Sequence, residues 1–338
     1  MGLYCGIDLH SNNAYYGIVD AEGKRIFKRR LPNELPRVLE TLAPFKEELE
    51  RLAAESTYNW YWLVDGLQAN DYPVQLANPA AMEQYSGLKH ADDQHDAFFL
   101  AEMLRLGILP TGYIYPKEER PVRDLLRRRM LLVQLKTVQL LSLQSLLSRE
   151  TGQQITGNQL KQLKDEALQV LLPEEHLFLA GQTNLSVIEF LERKIGELEQ
   201  AILKRAKLKP EYETLLTVPG IGKILSLTIM YETGDIGRFP EVGNYTSYCR
   251  CASARRFSNQ KEKGRNNGKN GNRYLSWAYI EAASFAIRCC PPAQKFYQRK
   301  KAKTKACVAM KALASKWSKA CYFILRDQAE FQIERVFG

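Results

Sequence analysis

Within the first 77 residues, short apolar runs that end at or near an acid alternate with stretches of helical spacing. This alternation restricts the chain to a layered α/β arrangement. Residues 3–8, 13–20 and 24–30 predict three strands in a meander, with Ala21-Glu22-Gly23 as the turn between the second and third. Leu35, Val38, Leu39 and Leu42 predict a helix over residues 35–50, followed by a strand over 51–55 that again ends in an acid. An aromatic-rich helix over 58–70 and a short strand over 73–77 complete the series. Strands and helices in this order bury their apolar faces against one another as an α/β layer architecture.

The next stretch, residues 90–104, predicts a helix that starts acidic. Asp93 and Asp96 lie three apart and share one face, while Ala97, Leu100, Ala101 and Leu104 form an apolar stripe on another. Two carboxylates on a packed element suit a hard divalent cation, which needs fixed oxygen ligands close together. An acidic first turn also favours a helix through its macrodipole, with no ligand involved. Asp92 shares a face with Asp96 and competes with Asp93. Asp8 and Glu55 stand at strand ends, where open sheets place their sites. His10 and His95 flank these acids as polar neighbours. The order and spacing of Asp8, Glu55, Asp93 and Asp96 resemble the RNase H-like (RuvC-like) nuclease fold. That resemblance implies an α/β N-terminal domain whose four carboxylates hold Mg²⁺ ions about 3.5–4 Å apart for in-line phosphoryl chemistry.

Residues 107–116 are a Gly/Pro-punctuated link. A basic helix follows, with Arg120, Arg123, Arg127, Arg128 and Arg129, and with Leu126, Val133, Leu140 and Leu147 at seven-residue steps. A second seam runs through Ile188, Leu191, Ile195, Leu198 and Ile202, with Ser186 and Glu189 as a capping box at its start. Residues 159–172 predict a short helix between the two. The expected organisation is an N-terminal domain over 1–115, a helical hairpin or coiled-coil linker over 116–207, and a mostly α-helical domain over 208–338. Arginines on the first helix, Arg123, Arg127 and Arg128 among them, are expected to face nucleic acid.

Thr217-Val218-Pro219-Gly220-Ile221-Gly222-Lys223 ends one helix and opens the next, over 224–232. Gly220, Gly222 and Lys223 thereby present backbone N–H groups and a cation as a phosphate cradle. Residues 255–275 are rich in glycine, asparagine and bases and are expected to form a loop ordered by phosphates. Arg255, Arg256, Lys261, Lys263, Arg265, Lys269 and Arg273 are its candidate phosphate ligands. Ser258 lies inside it as a possible nucleophile that would need activation, with Ser247, Ser253 and Ser276 as competitors. Helices over 277–288 and 303–326 close the domain.

Charge separates these parts. Residues 1–100 carry 9 Lys/Arg and 15 Asp/Glu, whereas residues 252–310 carry 14 and 2. A basic block beside an acidic, metal-suited domain points to a polyphosphate partner, most simply nucleic acid. No apolar run approaching a membrane span is expected, nor a signal peptide or lipidation signal at Met1-Gly2. The seven cysteines lack zinc spacing and read as reduced thiols of a cytoplasmic protein.

Taken in order, these residues resemble a known family: the DEDD transposases of the one-ten class of bacterial insertion sequences, related to pilin-gene invertases. Asp8, Glu55, Asp93, Asp96 and Ala97 carry the likeness in the first domain. An Arg-x-x-Leu-x-x-Arg pattern carries it in the linker, and Pro219, Gly220, Gly222, Ser258, Lys269, Gly271, Asn272 and Leu275 in the last domain. The resemblance implies that Asp8, Glu55, Asp93 and Asp96 bind Mg²⁺, with Mn²⁺ as a substitute. It implies that Ser258 attacks the DNA backbone and becomes covalently attached. It also implies a noncoding bridge RNA that pairs with donor and target DNA, and a homo-oligomer, dimer or tetramer, with composite active sites. Two positions depart from the family pattern. Asn259 follows the serine where glycine is usual, and Ala91-Asp92 precedes Asp93 where Lys-Thr is usual. The alternatives are a Holliday-junction resolvase-like nuclease that uses water, and a non-catalytic RNA-binding protein.

Overall fold

The computed structural model describes residues 2–82, 93–206, 209–252, 255–258, 261–265 and 270–338, without the side chains of residues 80, 93, 94, 255–258, 262, 264 and 265. The chain forms two compact units, Met1–Lys117 and Glu118–Gly338.

The first unit is a mixed sheet with helices on both faces. Its elements are β1 (Leu3–Leu9), β2 (Asn13–Val19), β3 (Arg25–Pro32), α1 (Leu35–Leu42), β4 (Leu49–Glu55), α2 (Tyr61–Gln68), β5 (Val74–Ala77), α3 (Asp93–Arg105) and β6 (Thr111–Gly112). The strand order is β3-β2-β1-β4-β5-β6. The first three strands pair antiparallel, β1, β4 and β5 run parallel, and β6 closes the edge antiparallel. The expected helix over 35–50 is corrected to end at Leu42. Ala43–Phe45 tighten into a 3₁₀ turn around Pro44, which has no N–H to continue the ladder. The expected link over 107–116 contains the short strand β6.

Alternation along β1 decides which residues meet which helix layer. Cys5, Ile7 and Leu9 join a buried cluster with Val38, Leu63, Val64 and Leu67 of α1 and α2. Gly6 faces α3 instead. It pairs with Gly17 on β2 and with Ala53 on β4, so three small residues lie side by side. A Cβ on Gly6 would come 2.0 Å from the Ala97 carbonyl oxygen, and one on Gly17 would come 2.9 Å from the Phe98 ring. The helix can therefore rest almost on the strand backbones, with Ala97 and Ala101 fully buried against them.

The second unit is helical. Its elements are α4 (Arg120–Thr151), α5 (Gly157–Leu160), α6 (Asp165–Leu171), α7 (Glu175–Arg205), α8 (Pro210–Leu216), α9 (Lys223–Thr233), α10 (Val242–Tyr248), β7 (Arg255–Ser258), β8 (Lys261–Arg265), α11 (Arg273–Cys289), α12 (Pro291–Lys301), α13 (Ala306–Asp327) and α14 (Ile333–Phe337). The long helices α4 and α7 lie antiparallel. Arg129 pairs with Glu199 at 2.7 Å and Lys136 with Glu192 at 3.1 Å, while Leu143, Leu147, Leu185 and Ile188 form the seam beneath. Ser186 sits inside α7 rather than at its start. The capping side chain is Glu174, which accepts a hydrogen bond from the Leu177 N–H. By length and composition α4 is apolar enough to cross a membrane, which qualifies the expectation that no run approaches that length. The expected loop over 255–275 contains a two-stranded hairpin, β7 against β8.

The core of the second unit gathers around Trp317, Tyr245 and Tyr279, all fully buried. Their polar atoms are satisfied internally. Tyr245 Oη lies 2.6 Å from Tyr279 Oη and 3.0 Å from Thr233 Oγ1, and Trp317 Nε1 donates to the Pro219 carbonyl at 2.9 Å.

A methyl group at Gly6 meets backbone that cannot rotate aside. Gly6→Ala is expected to destabilise the first unit by about 1–3 kcal/mol, the usual cost of overpacking. Equilibrium denaturation of the two proteins checks this. A change within 0.3 kcal/mol would mean that α3 is free to lift.

Candidate active site and nucleic-acid interface

The close seat of α3 brings three acids together. Asp8 is one residue from the end of β1 and Glu55 is the last residue of β4, and the register Ile7↔Ala54 sets them side by side at the carboxyl ends of two parallel strands. Asp8 shares the Gly6 face, beneath the first turn of α3, where Asp96 stands. Burial pushes the Asp8 carboxyl up to about 7. A hydrogen bond to Glu55 and the charges of Glu55 and Asp96 act in the same direction, and His10 acts against them. His10 Nε2 lies 3.1 Å from Asp8 Oδ2, yet that buried oxygen receives no well-directed hydrogen bond. The His10 backbone carbonyl is held by the side-chain amides of Asn59 at 2.9 Å and Asn33 at 3.0 Å. A cleft of about 320 Å³ opens here, with Glu55, Met82, Asp96 and Phe99 among its walls.

This donor set suits a hard cation. All three side chains offer oxygen, one buried oxygen receives no well-directed hydrogen bond, and the mutual repulsion is of the kind that a divalent ion relieves. Among the described residues, no three such side chains are already close enough to hold an ion. That is compatible with Mg²⁺, which binds through one or two carboxylates and completes its shell with water and substrate phosphate. The side chain of Asp93 lies outside the described residues, as does Asp92. His95 stacks on Phe99, with ring centroids 6.5 Å apart.

In the second unit the two glycines of the Pro-Gly-Ile-Gly turn have different tasks. Gly220 has φ +86°, and a Cβ there would lie 2.2 Å from the Ala282 carbonyl oxygen, so it lets the turn pack onto α11. Gly222 caps α9 and faces open space beside exposed Lys223. Both glycines and Lys223 border a cleft of about 760 Å³ shared with Trp277, Glu281 and Phe285. The first N–H groups of α9 are thus open to a phosphate.

The arginines of α4 divide. Arg128 is exposed, as expected for a phosphate ligand. Arg123 is buried and donates to Glu232 Oε2 at 3.1 Å. Arg127 donates to both Glu232 oxygens, at 2.5 and 2.9 Å, and lies over the Tyr274 ring at 4.3 Å. These contacts commit Arg123 to the interior, away from the nucleic-acid face expected for it. Glu232 is fully buried and also accepts from Asn272 Nδ2 at 2.8 Å. Burial alone would push its carboxyl up, but the two guanidinium groups and the Asn272 amide more than offset this and hold it below the usual glutamate value. Asn272 in turn caps α11, accepting from the N–H groups of Tyr274 and Leu275 at 2.8 and 3.1 Å. Sequence reasoning passed over Glu232, although a lone acid in an apolar helix requires a buried partner.

Ser258 ends β7 and pairs in register with Lys261, but its side chain, those of Arg255, Arg256 and Arg265, and all of Lys269 lie outside the described residues. Lys261, Lys263 and Arg273 are exposed. Arg250, not singled out from sequence, donates twice to the Gly271 carbonyl, at 2.7 and 3.0 Å, and so braces the segment that follows the hairpin.

Residues 5–150 match the IS110-type DEDD model, described as a transposase, and residues 212–298 match a model of the transposase IS116/IS110/IS902 family. The chain is 24% identical over 290 residues to the transposase for insertion sequence element IS1111A of Coxiella burnetii, covering 84% of this chain and 77% of that protein. It is 25% identical over 146 residues to an insertion element IS110 uncharacterized 43.6 kDa protein of Streptomyces coelicolor, covering 43% of this chain and 35% of that one. A mixed sheet with acids at its parallel strand ends and a basic helical unit, both falling within these matches, belong to a transposase, an enzyme that cleaves and rejoins DNA. The chain belongs to the IS110 family of these enzymes.

Two outcomes follow from the site. Folded Asp8 keeps its proton to about pH 7, whereas the unfolded chain releases it near 3.8. The native state therefore binds more protons in that window, and stability falls as pH rises through it. Without divalent cations, Asp8→Asn is expected to be more stable than wild type by about 1–3 kcal/mol at pH 8 but not at pH 4. Urea unfolding in chelator at both pH values checks the sign. For the turn, Gly222→Ala is expected to keep wild-type stability and weaken DNA binding several-fold, whereas Gly220→Ala loses stability. Paired melting and binding assays separate the two.

Proposed function

We propose that this transposase is an RNA-guided DNA recombinase that cleaves and rejoins donor and target DNA through a covalent phosphoserine intermediate. The observation that carries it is the Asp8–Glu55–Asp96 cluster at the strand ends, in a chain that also carries a serine within a cationic hairpin. The first unit is read as RNase H-like. Support comes from its strand order, with an antiparallel meander feeding two parallel strands, and from acids at the carboxyl ends of adjacent strands. Asp8, Glu55, Asp93 and Asp96 would hold Mg²⁺, with Mn²⁺ as a substitute. When bound, the ion supplies charge stabilisation at the scissile phosphate and favours the alkoxide form of the nucleophile.

The chain's own residues do the rest. Ser258 Oγ bonds to phosphorus as the bond to the departing strand oxygen breaks. The serine's proton passes to solvent, the departing oxygen takes one up as a hydroxyl, and the phosphodiester energy is retained in the phosphoserine for rejoining. Arg255, Arg256, Lys261, Lys263, Arg265, Lys269 and Arg273 bind phosphates around it, with Arg128, Gly222 and Lys223 extending the surface. A bridge RNA supplies base specificity by pairing, while the protein reads backbone and shape. A homo-oligomer brings the acidic unit of one copy to the serine of another, in the cytoplasm at the nucleoid.

Covalent trapping tests this. Protein, RNA transcribed from the flanks of the element, labelled donor and target DNA and Mg²⁺ are incubated, then separated under denaturing conditions. Labelled DNA is expected to travel with wild-type protein and to be lost in Ser258→Ala and in Asp96→Asn. Cleavage without an adduct, unchanged in Ser258→Ala, would replace the recombinase with a hydrolytic nuclease.

A further inference from the structure

Residues 299–338 lie beyond both family matches. There the chain reverses at Gln328, which has φ +50°, and residues 329–337 return along α13. The return is firmly anchored. Phe331 and Phe337 pack edge-on to Trp317 with ring centroids 5.7 and 5.5 Å away, and the Phe331 N–H donates to Thr217 Oγ1 at 2.9 Å. Lys316 Nζ donates to the Val336 carbonyl at 2.5 Å.

Between this tail and α13 a cleft of about 510 Å³ remains, within the size range of small-ligand sites. Its apolar wall is Phe323, Ile324, Phe331 and Val336, and Phe323 is 43% exposed. Its cations are Lys316, Lys319, Arg326 and Arg335. Arg326 is paired with Asp327 at 2.7 Å and stacks at 5.0 Å from the Phe323 ring centre. Asp327 and Glu330 also line the cleft, and the charge of Arg335 acts on Asp327, so cations outnumber acids there by four to two. Among the described residues, neither Lys319 nor Arg335 forms an ion pair within 4 Å. Burial and the neighbouring charges of Lys319 and Arg299 hold the Lys316 ammonium below its usual value, so an anion entering the cleft would relieve crowded positive charge.

We propose that this cleft binds one nucleotide of a single nucleic-acid strand, its base against Phe323 and its phosphate at Lys319 and Arg335. An exposed aromatic ring flanked by a guanidinium is a stacking platform for a base, and adjacent cations track the backbone. An apolar peptide would leave the excess positive charge at Lys319 and Arg335 unmatched, and a bare phosphate would leave the aromatic wall wet. The choice of occupant rests on the recombinase proposed above. RNA and DNA share this chemistry, and the test separates them.

Full-length protein is photocrosslinked to single strands carrying 5-iodouridine in RNA or 5-iodo-deoxyuridine in DNA, and the adducts are mapped by mass spectrometry. An adduct within residues 316–336 is expected, lost in Phe323→Ala and reduced at least five-fold in Lys319→Ala. Both side chains are exposed, so both variants should melt as wild type does. The strand that crosslinks at lower concentration identifies the source. Adducts confined to other segments, or an adduct in 316–336 unchanged by both substitutions, would overturn the proposal and leave the serine chemistry untouched. Loss of the Ser258 adduct assay with this crosslink intact would do the reverse.

Discussion

The N-terminal unit depends on a contact that only small residues permit. Gly6, Gly17 and Ala53 form a floor across three strands, and α3 lies on it with Ala97 and Ala101 facing down. Any larger residue at Gly6 would lift the helix. With the helix seated, Asp96 in its first turn stands over Asp8, and the parallel pairing of β1 with β4 adds Glu55. The charges of Glu55 and Asp96 add to burial in raising the proton affinity of Asp8, an arrangement that works against stability unless a proton or a cation occupies it. The same packing that stabilises the layer therefore creates the electrostatic demand that defines the site.

Glu232 has the corresponding role in the helical unit. One buried carboxylate ties α4 to α9 and, through Asn272, to the start of α11. Removing one member of such a buried set leaves charge without a partner, which typically costs about 3–5 kcal/mol. The segment that returns from the basic hairpin enters α11 at this point, so the hairpin's exit is fixed by an interior network rather than by the surface. Two patterns that carry the family likeness, the arginines of α4 and the Gly271-Asn272 step, meet at a residue that belongs to neither.

Much of the N-terminal unit was legible because each strand and helix has a period that its burial enforces. The meander, the acid-ended strands and α3 all follow from local spacing. The early end of α1 turned on Pro44, a local signal outweighed by the apolar periodicity around it. The strand β6 is two residues long and exists only through pairing with β5, so no local pattern marks it. Asp8 and Glu55 could be picked out as strand-end acids, yet the reason they adjoin Asp96 lies in Gly6 and Gly17, whose effect is tertiary. On α4, exposed and buried arginines look alike in sequence. Which of them turns inward depends on Glu232, more than 100 residues away.

The central claim is that Asp8, Glu55 and Asp96 form a divalent-cation site. Calorimetric titration of Mg²⁺ into the full-length protein, without nucleic acid, tests it most directly. Saturable binding is expected in wild type, lost in Asp8→Asn and in Asp96→Asn and retained in Ser258→Ala. Binding that is absent from wild type, or that survives loss of both aspartates, would contradict it.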